Sequence, residues 1–365
     1  MSQSAISQVR VAVVGYGSIG RRHFDNLGRL GVSRRTVVRR PHGANAAFTP
    51  PAGARVVHSH REALAEGLDL AIIANPTRLH VAAALEYAEA GVAVLVEKPL
   101  AAELSECGRL VELASHGGVP IGMAYCLRYH PAYMAARARI AQGSIGRLLY
   151  GKAWFEDYLP DWHPWEDYRD GYAARLDLGG GVLPTLDHEI DFLNWCLGAP
   201  TSATGCTQRS GALDTEVPDV AMLAIRYPGG VTVDAVLSLC RRDRTRGFEF
   251  VGSEATLHFR FETGRLELAA GKDRPPELVW RDPAYDVNRM YLDVLADFLE
   301  HVVSGRQPPV PLAAGIDSLR LIEMAERGWR LEAGGWRTEG RRQKSEGRGQ
   351  KSEVPPEADL QHRQK

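Results

Sequence analysis

The stretch VRVAVVGYGSIGRRH, residues 9–23, restricts the fold more than any other part of the chain. A short run of branched, apolar residues ends directly in glycines, and a helical pattern follows. Gly15 permits a tight turn, Gly17 lets backbone approach a pyrophosphate, and Gly20 allows helix and strand to pack closely. Ser18 and Ile19 open the helix, whose free N–H groups face the phosphates. An ordinary glycine turn is the alternative. The strand before and the helix after favour a dinucleotide site.

Downstream segments repeat the alternation. RTVVRR, LDLAIIANPT and VAVLVEKP read as strands, and HVAAALEYAEAG and LSECGRLVELASHGG as helices. Strands alternating with helices imply a parallel, doubly wound sheet. After about residue 124 the pattern changes to strands joined by short turns, such as VAMLAIRYPGGVTVDAVLSL, with two late helices. The expected architecture is therefore an α/β Rossmann domain over residues 1–124 and an α+β domain over 125–333. The second domain is expected to carry an open, largely antiparallel sheet. Residues 334–365 are polar, charged and repeat QKSE, so a disordered tail is expected there.

Composition excludes several classes. With 44 basic and 45 acidic residues there is no electrostatic case for nucleic acid or a membrane surface. The five cysteines include no CxxC pair, which argues against a structural metal or a disulfide framework and fits a reducing compartment. No apolar run is long enough for a membrane span. A cytoplasmic protein without a metal is expected.

The second strand ends in Arg39 and Arg40, about where NAD-binding chains place an acid for the ribose hydroxyls. A guanidinium can grip a 2′-phosphate through charge-assisted hydrogen bonds. NADP is the expected cofactor. NAD remains open if the two arginines are only solvated strand-end charges.

GYGSIGRRH, ANPTRLH (74–80), EKPLA (97–101), LRYHP (127–131) and GGGVLPTLDHEID (179–191) together resemble the glucose–fructose oxidoreductase / inositol dehydrogenase / MocA family over roughly residues 8–330. The resemblance implies a pyridine-nucleotide oxidoreductase acting on a secondary alcohol or ketone of a sugar, cyclitol or sugar derivative. It places Glu97 and Lys98 at the nicotinamide, with Lys98 also at the substrate hydroxyl. Asn75, Pro76, Thr77 and His80 line the cofactor, while Arg128 and Tyr129 border its nicotinamide end. His188 starts the helix after the glycine turn. Many members carry an aspartate three or four residues before that histidine. Here those positions are Thr185 and Pro184, so the acid has moved to Asp187 or Asp191, or is absent. The resemblance also implies that the open sheet face packs against another subunit, giving a homodimer or homotetramer.

The chemistry suits these residue types. Histidine has an ordinary pKa near the working pH and can move the hydroxyl proton. Lysine stabilises charge growing on the oxygen during reduction. Burial beside a nicotinamide cation is expected to lower the Lys98 pKa. Asp191 shares a helix face with His188 and is expected to orient its ring. Asp187 is a candidate substrate contact. Trp165 and Arg175, in an aromatic stretch rich in acids and arginines, are candidates to border the sugar. A subunit interface or a satellite core would explain the same stretch. A dinucleotide- or sugar-sensing protein without catalysis is the competing function, and a scaffold is the third.

Overall fold

A computed structural model describes residues 3–40, 49, 51–116 and 118–335. The first sheet is formed by β1 (Arg10–Val14), β2 (Arg34–Val38), β3 (Arg55–Val57), β4 (Leu70–Ile73), β5 (Ala93–Val96) and β6 (Ile121–Met123). All are parallel, in the order β3-β2-β1-β4-β5-β6. The residues of β4 and β5 are all buried. Helices cover both faces of such a sheet, which is why these strands are apolar throughout rather than alternating. Strand order reverses between β1 and β4. That leaves a crevice at their carboxyl ends, where Gly15 and Asn75 lie.

The second sheet contains β7 (Leu148–Tyr158), β8 (Ser202–Gln208), β9 (Val220–Arg226), β10 (Thr232–Ser238), β11 (Cys240–Gly252), β12 (Thr256–Arg260), β13 (Arg265–Ala269) and β14 (Glu277–Arg281). Its order is β14-β13-β12-β11-β7-β10-β9-β8. Only the β7–β10 pair runs parallel. Along β10, Val233, Ala235 and Leu237 are buried while Asp234 is exposed, the alternation of a sheet with one covered face. The covered face holds a knot of rings. Tyr133 lies 4.6 Å from Phe192 and 5.3 Å from Phe248, edge to face.

The two late helices join the halves. From Asn288–Ser304, Leu295, Phe298 and Leu299 enter the core beside Phe24 and Leu27, while Met290 and Val294 join the core of the second sheet. From Leu312–Gly335, Ile316 and Leu319 pack on the first sheet, and Leu321 and Ala325 on the second. The polar tail expected from residue 334 lies, from 336 onward, outside the described residues. Among the described residues no helix is long and apolar enough to cross a membrane, and no cluster of His, Cys, Asp and Glu could hold a metal.

Candidate active site

The glycine turn after β1 fits a pyrophosphate. Gly15 has φ +93°, and a Cβ there would stand 2.6 Å from the Ala74 carbonyl oxygen. A Cβ on Gly20 would meet the Gly15 oxygen at 2.2 Å. Nothing lies within 4 Å of a Cβ placed on Gly17, so the space above it is open. Gly17 caps the Ser18–Arg29 helix without a side-chain hydrogen bond, leaving the N–H groups of its first turn for a ligand. Ser18 is exposed and Ile19 half-buried. The Gly15 N–H donates to the Val38 carbonyl at 3.0 Å, which brings Arg39 and Arg40 beside the turn. Arg40 is exposed, and the Arg39 carbonyl meets His58 Nδ1 at 2.8 Å.

The opposite wall comes from the ends of β4 and β5. His80 lies between the carbonyls of Pro99 and Asn75, 2.8 Å from each, which ties the ANPT turn to the EKP turn. Pro76 is the cap of the short helical turn Thr77–Leu79, and the Asn75 amide oxygen is buried with no partner among the described residues. The Lys98–Pro99 peptide is cis. Glu97 accepts from the Lys98 backbone N–H at 3.1 Å and meets His23 Nε2 at 2.6 Å in a buried pair. Burial, the largest single effect, works against the Glu97 carboxylate, but His23 and Lys98 together outweigh it and hold its pKa below the usual range.

Lys98 Nζ donates to the Thr185 carbonyl at 2.6 Å. The helix break explains why that carbonyl is available. Val182–Thr185 form one helical turn, Leu186 departs from helical geometry, and Asp187–Leu197 resume the helix. In an unbroken helix the Thr185 oxygen would accept from the Glu189 N–H. Here that N–H turns to Leu186 at 3.4 Å. Pro184 sits in the first turn, where its missing N–H costs no hydrogen bond. The turn before it depends on close backbone approach. A Cβ on Gly180 would stand 2.0 Å from the Tyr172 carbonyl oxygen.

Electrostatics around Lys98 run against the expected lowering. Burial does push its pKa down, but Tyr172, Glu97 and Asp187 raise it further, and the net shift is upward. The raised pKa keeps Lys98 an ammonium at neutral pH. His188 shifts the other way. Burial, then the Lys98 and Arg246 charges, drive its pKa well below the ordinary value. Its Nε2 lies 3.7 Å from Cys126 Sγ, and its buried Nδ1 has no partner among the described residues. The ring is therefore neutral.

Several expected roles are corrected. Asp191 does not meet His188. It forms a two-pronged pair with Arg128, at 3.0 and 2.6 Å, because the next helix face is filled by that guanidinium, stacked near Tyr125 and Trp195. Arg128 is thus fixed by Asp191. Asp187 is fully buried rather than exposed to a substrate, and accepts from the Tyr125 hydroxyl at 2.7 Å. The Tyr129 hydroxyl donates to Asp297 at 2.7 Å, Arg175 pairs with its neighbour Asp177 at 2.6 Å, and Trp165 is 73% exposed. None of these three is brought to Lys98 here.

The sequence did not single out His23, Tyr125, Cys126 or Arg246 as site residues. His23 had a signal, the histidine closing GYGSIGRRH. Arg246 carries none in sequence. It reaches from β11 to pair with Glu189 at 2.6 Å, both buried, and its guanidinium lies 4.5 Å from the Phe155 ring centre.

This geometry, a glycine-turn dinucleotide cradle facing a lysine at the end of a parallel strand, coincides with two family matches. Residues 9–125 match the GFO/IDH/MocA oxidoreductase family, NAD-binding Rossmann fold, and residues 133–258 match the GFO/IDH/MocA C-terminal domain. The chain belongs to the GFO/IDH/MocA oxidoreductase family. It is 29% identical to 1,5-anhydro-D-fructose reductase of Ensifer adhaerens, over 69% of this chain and 74% of that one. It is 26% identical to inositol 2-dehydrogenase of Leifsonia xyli, over 76% and 77%. Among solved structures, a levoglucosan dehydrogenase in complex with NADH and levoglucosan superposes with TM-score 0.77 at 19% identity, over 89% of this chain and 98% of that one. An inositol dehydrogenase homologue from Azotobacter vinelandii with NAD+ gives 0.76 at 19%, over 88% and 95%. At that identity the structures establish the fold.

Proposed function

We propose that this GFO/IDH/MocA oxidoreductase interconverts a secondary alcohol and a ketone on a sugar, cyclitol or sugar derivative, with NADP favoured over NAD. The observation that carries the reading is Lys98, held as an ammonium by the Thr185 carbonyl between the dinucleotide turn and the His188 helix. The family relatives named as inositol dehydrogenase and anhydrofructose reductase support the substrate class.

The nicotinamide, when bound, supplies or accepts the hydride. The chain's own residues handle the oxygen. Lys98 spends one N–H on Thr185 and keeps two for the reacting oxygen, where negative charge grows as a ketone is reduced. His188 presents an unpartnered Nδ1 that can hydrogen-bond the same or a neighbouring hydroxyl. Arg39 and Arg40, beside the glycine turn, support a 2′-phosphate and hence NADP. A homodimer or homotetramer in the cytoplasm completes the reading.

The test is cofactor binding by fluorescence with NADPH and NADH, followed by oxidation trials with cyclitols and with free and nucleotide-linked sugars. Turnover of at least one polyol is expected. Tight cofactor binding without turnover across the panel would point to a sensor instead.

A further inference from the structure

Lys98 is held at both ends. Its Nζ rests on the Thr185 carbonyl, and its backbone N–H donates to Glu97 Oε2 at 3.1 Å. The other Glu97 oxygen, Oε1, lies 2.6 Å from His23 Nε2. One carboxylate therefore joins the root of the lysine to the Ser18–Arg29 helix, whose first turn faces the glycine cradle. The pair is sealed from solvent, with His23 0% exposed and Glu97 5%.

The geometry fixes which ring nitrogen donates. A bare Nε2 lone pair would repel the carboxylate oxygen, so Nε2 carries the N–H and Glu97 accepts it. His23 Nδ1 is buried with no hydrogen-bond partner among the described residues, so no competing polar group turns the ring elsewhere. The helix is anchored three residues further on. Asn26 and Asn288 exchange two amide hydrogen bonds, at 3.1 and 2.8 Å. The His23 ring packs edge-on against Tyr291, 6.5 Å between centres. At the far end of the EKP turn, His80 Nδ1 meets the Pro99 carbonyl at 2.8 Å.

Resting on the reading above, we propose that His23 is a positioning residue for Lys98, acting through Glu97. With no exposed surface, it touches neither substrate nor nicotinamide. It ties the helix that cradles the pyrophosphate to the lysine that faces the reacting oxygen, so cofactor and ammonium share one frame. Without the His23 N–H, Glu97 would keep a buried carboxylate oxygen unpaired, a costly state that is relieved when the side chain turns toward another donor. That turn releases the Lys98 N–H and frees the root of the lysine. A misplacement of about 1 Å at a reacting group can cost about 10²-fold in rate.

The test compares His23→Gln with His23→Leu in the whole chain. The glutamine amide nitrogen reaches about as far from the backbone as histidine Nε2 and can donate to Glu97, whereas leucine fills the space without a donor. Proton NMR of wild type should show a far-downfield imidazole N–H from the His23–Glu97 bond, lost in His23→Leu and in Glu97→Gln. Single-turnover hydride transfer to NADP+ from myo-inositol, or from another polyol that wild type oxidises, should slow about 100-fold in His23→Leu and stay within about 3-fold of wild type in His23→Gln. NADPH binding should stay within a few-fold in both. Glu97→Gln loses one of its two acceptor oxygens and should slow like His23→Leu, and the double variant should be little slower than either single one. If His23→Leu does not fold, Glu97→Gln against His23→Gln carries the same comparison. No downfield proton in wild type overturns the proposal. So do equal rates in the donor-bearing and donor-free variants, or slowing matched by an equal loss of NADPH binding. Wild-type protein that shows the proton yet turns over no polyol defeats the functional reading itself, and the positioning role with it.

Discussion

At Lys98 two effects compete, and the charges of Tyr172, Glu97 and Asp187 together outweigh burial. A lysine held as an ammonium acts as a hydrogen-bond donor and proton carrier, and it does not start as a base. A neutral His188 with a strongly lowered pKa is a weak base as well. In the proposed reaction both lie beside the reacting oxygen. Lys98→Ala and His188→Ala should each lower kcat by about 10²–10⁴-fold while leaving NADPH binding within a few-fold, measured by stopped-flow absorbance and fluorescence titration. Asp187 makes a separate prediction about stability. Its folded pKa of about 7 exceeds the ordinary 3.8, so between those values the folded chain binds a proton that the unfolded chain has released. Stability from this group therefore falls as pH rises from about 4 to 7 and is flat outside that window. Asp187→Asn removes the dependence. The difference in melting temperature, variant minus wild type, should grow more positive from pH 5 to pH 8. An unchanged difference would show that Asp187 is not buried as a titrating acid.

Elements show which parts of the site can be read locally. The glycine turn is local: strand, GxGxxG and helix are contiguous, and Gly15 and Gly20 meet backbone within the same unit or the next strand end. The period of 3.6 residues also placed His188 and Asp191 on adjoining turns correctly. It could not reveal the partner of Asp191, because Arg128 arrives from a segment 63 residues away. The break at Leu186 was likewise hidden, since Pro184 is compatible with an uninterrupted helix start. Its consequence, a free Thr185 carbonyl for Lys98, depends on that break and on the EKP turn lying opposite. The Asp191–Arg128 pair is nearly sealed from solvent, with side chains 1% and 13% exposed. Removing one partner strands the other. Asp191→Ala should cost about 3–5 kcal/mol of folding free energy in urea titrations at pH 7.5. A loss under 1 kcal/mol would mean that water reaches Arg128 readily.

Across the whole molecule, the second sheet leaves one face without helices. Trp154, Val236, Met222 and Cys206 align across β7, β10, β9 and β8, and Met222 is 50% exposed. An apolar row on an open face is what a second copy of the chain would cover. Light scattering at micromolar concentration should give a dimer or tetramer, and Met222→Asp should shift it toward monomer. A monomer in wild type would remove the oligomeric part of the account. The Rossmann half was legible because its strands are buried on both faces and read as continuous apolar runs. The second half was legible only as strands and turns. Its parallel β7–β10 pair and the Arg246–Glu189 contact join distant segments that no local pattern links. Cofactor preference belongs to this scale too, since the end of β2 meets the glycine turn of β1. Arg39→Asp with Arg40→Ala should weaken NADPH binding selectively over NADH.

In the proposed function Lys98, fixed by Thr185, governs hydride exchange between a nicotinamide and a polyol. Single-turnover absorbance of the nicotinamide, with wild type and Lys98→Ala compared on whichever polyol wild type oxidises, tests it most directly. The account predicts a fast transient in wild type and a transient at least 100-fold slower in Lys98→Ala, with cofactor binding retained. Equal transients in the two proteins would contradict it.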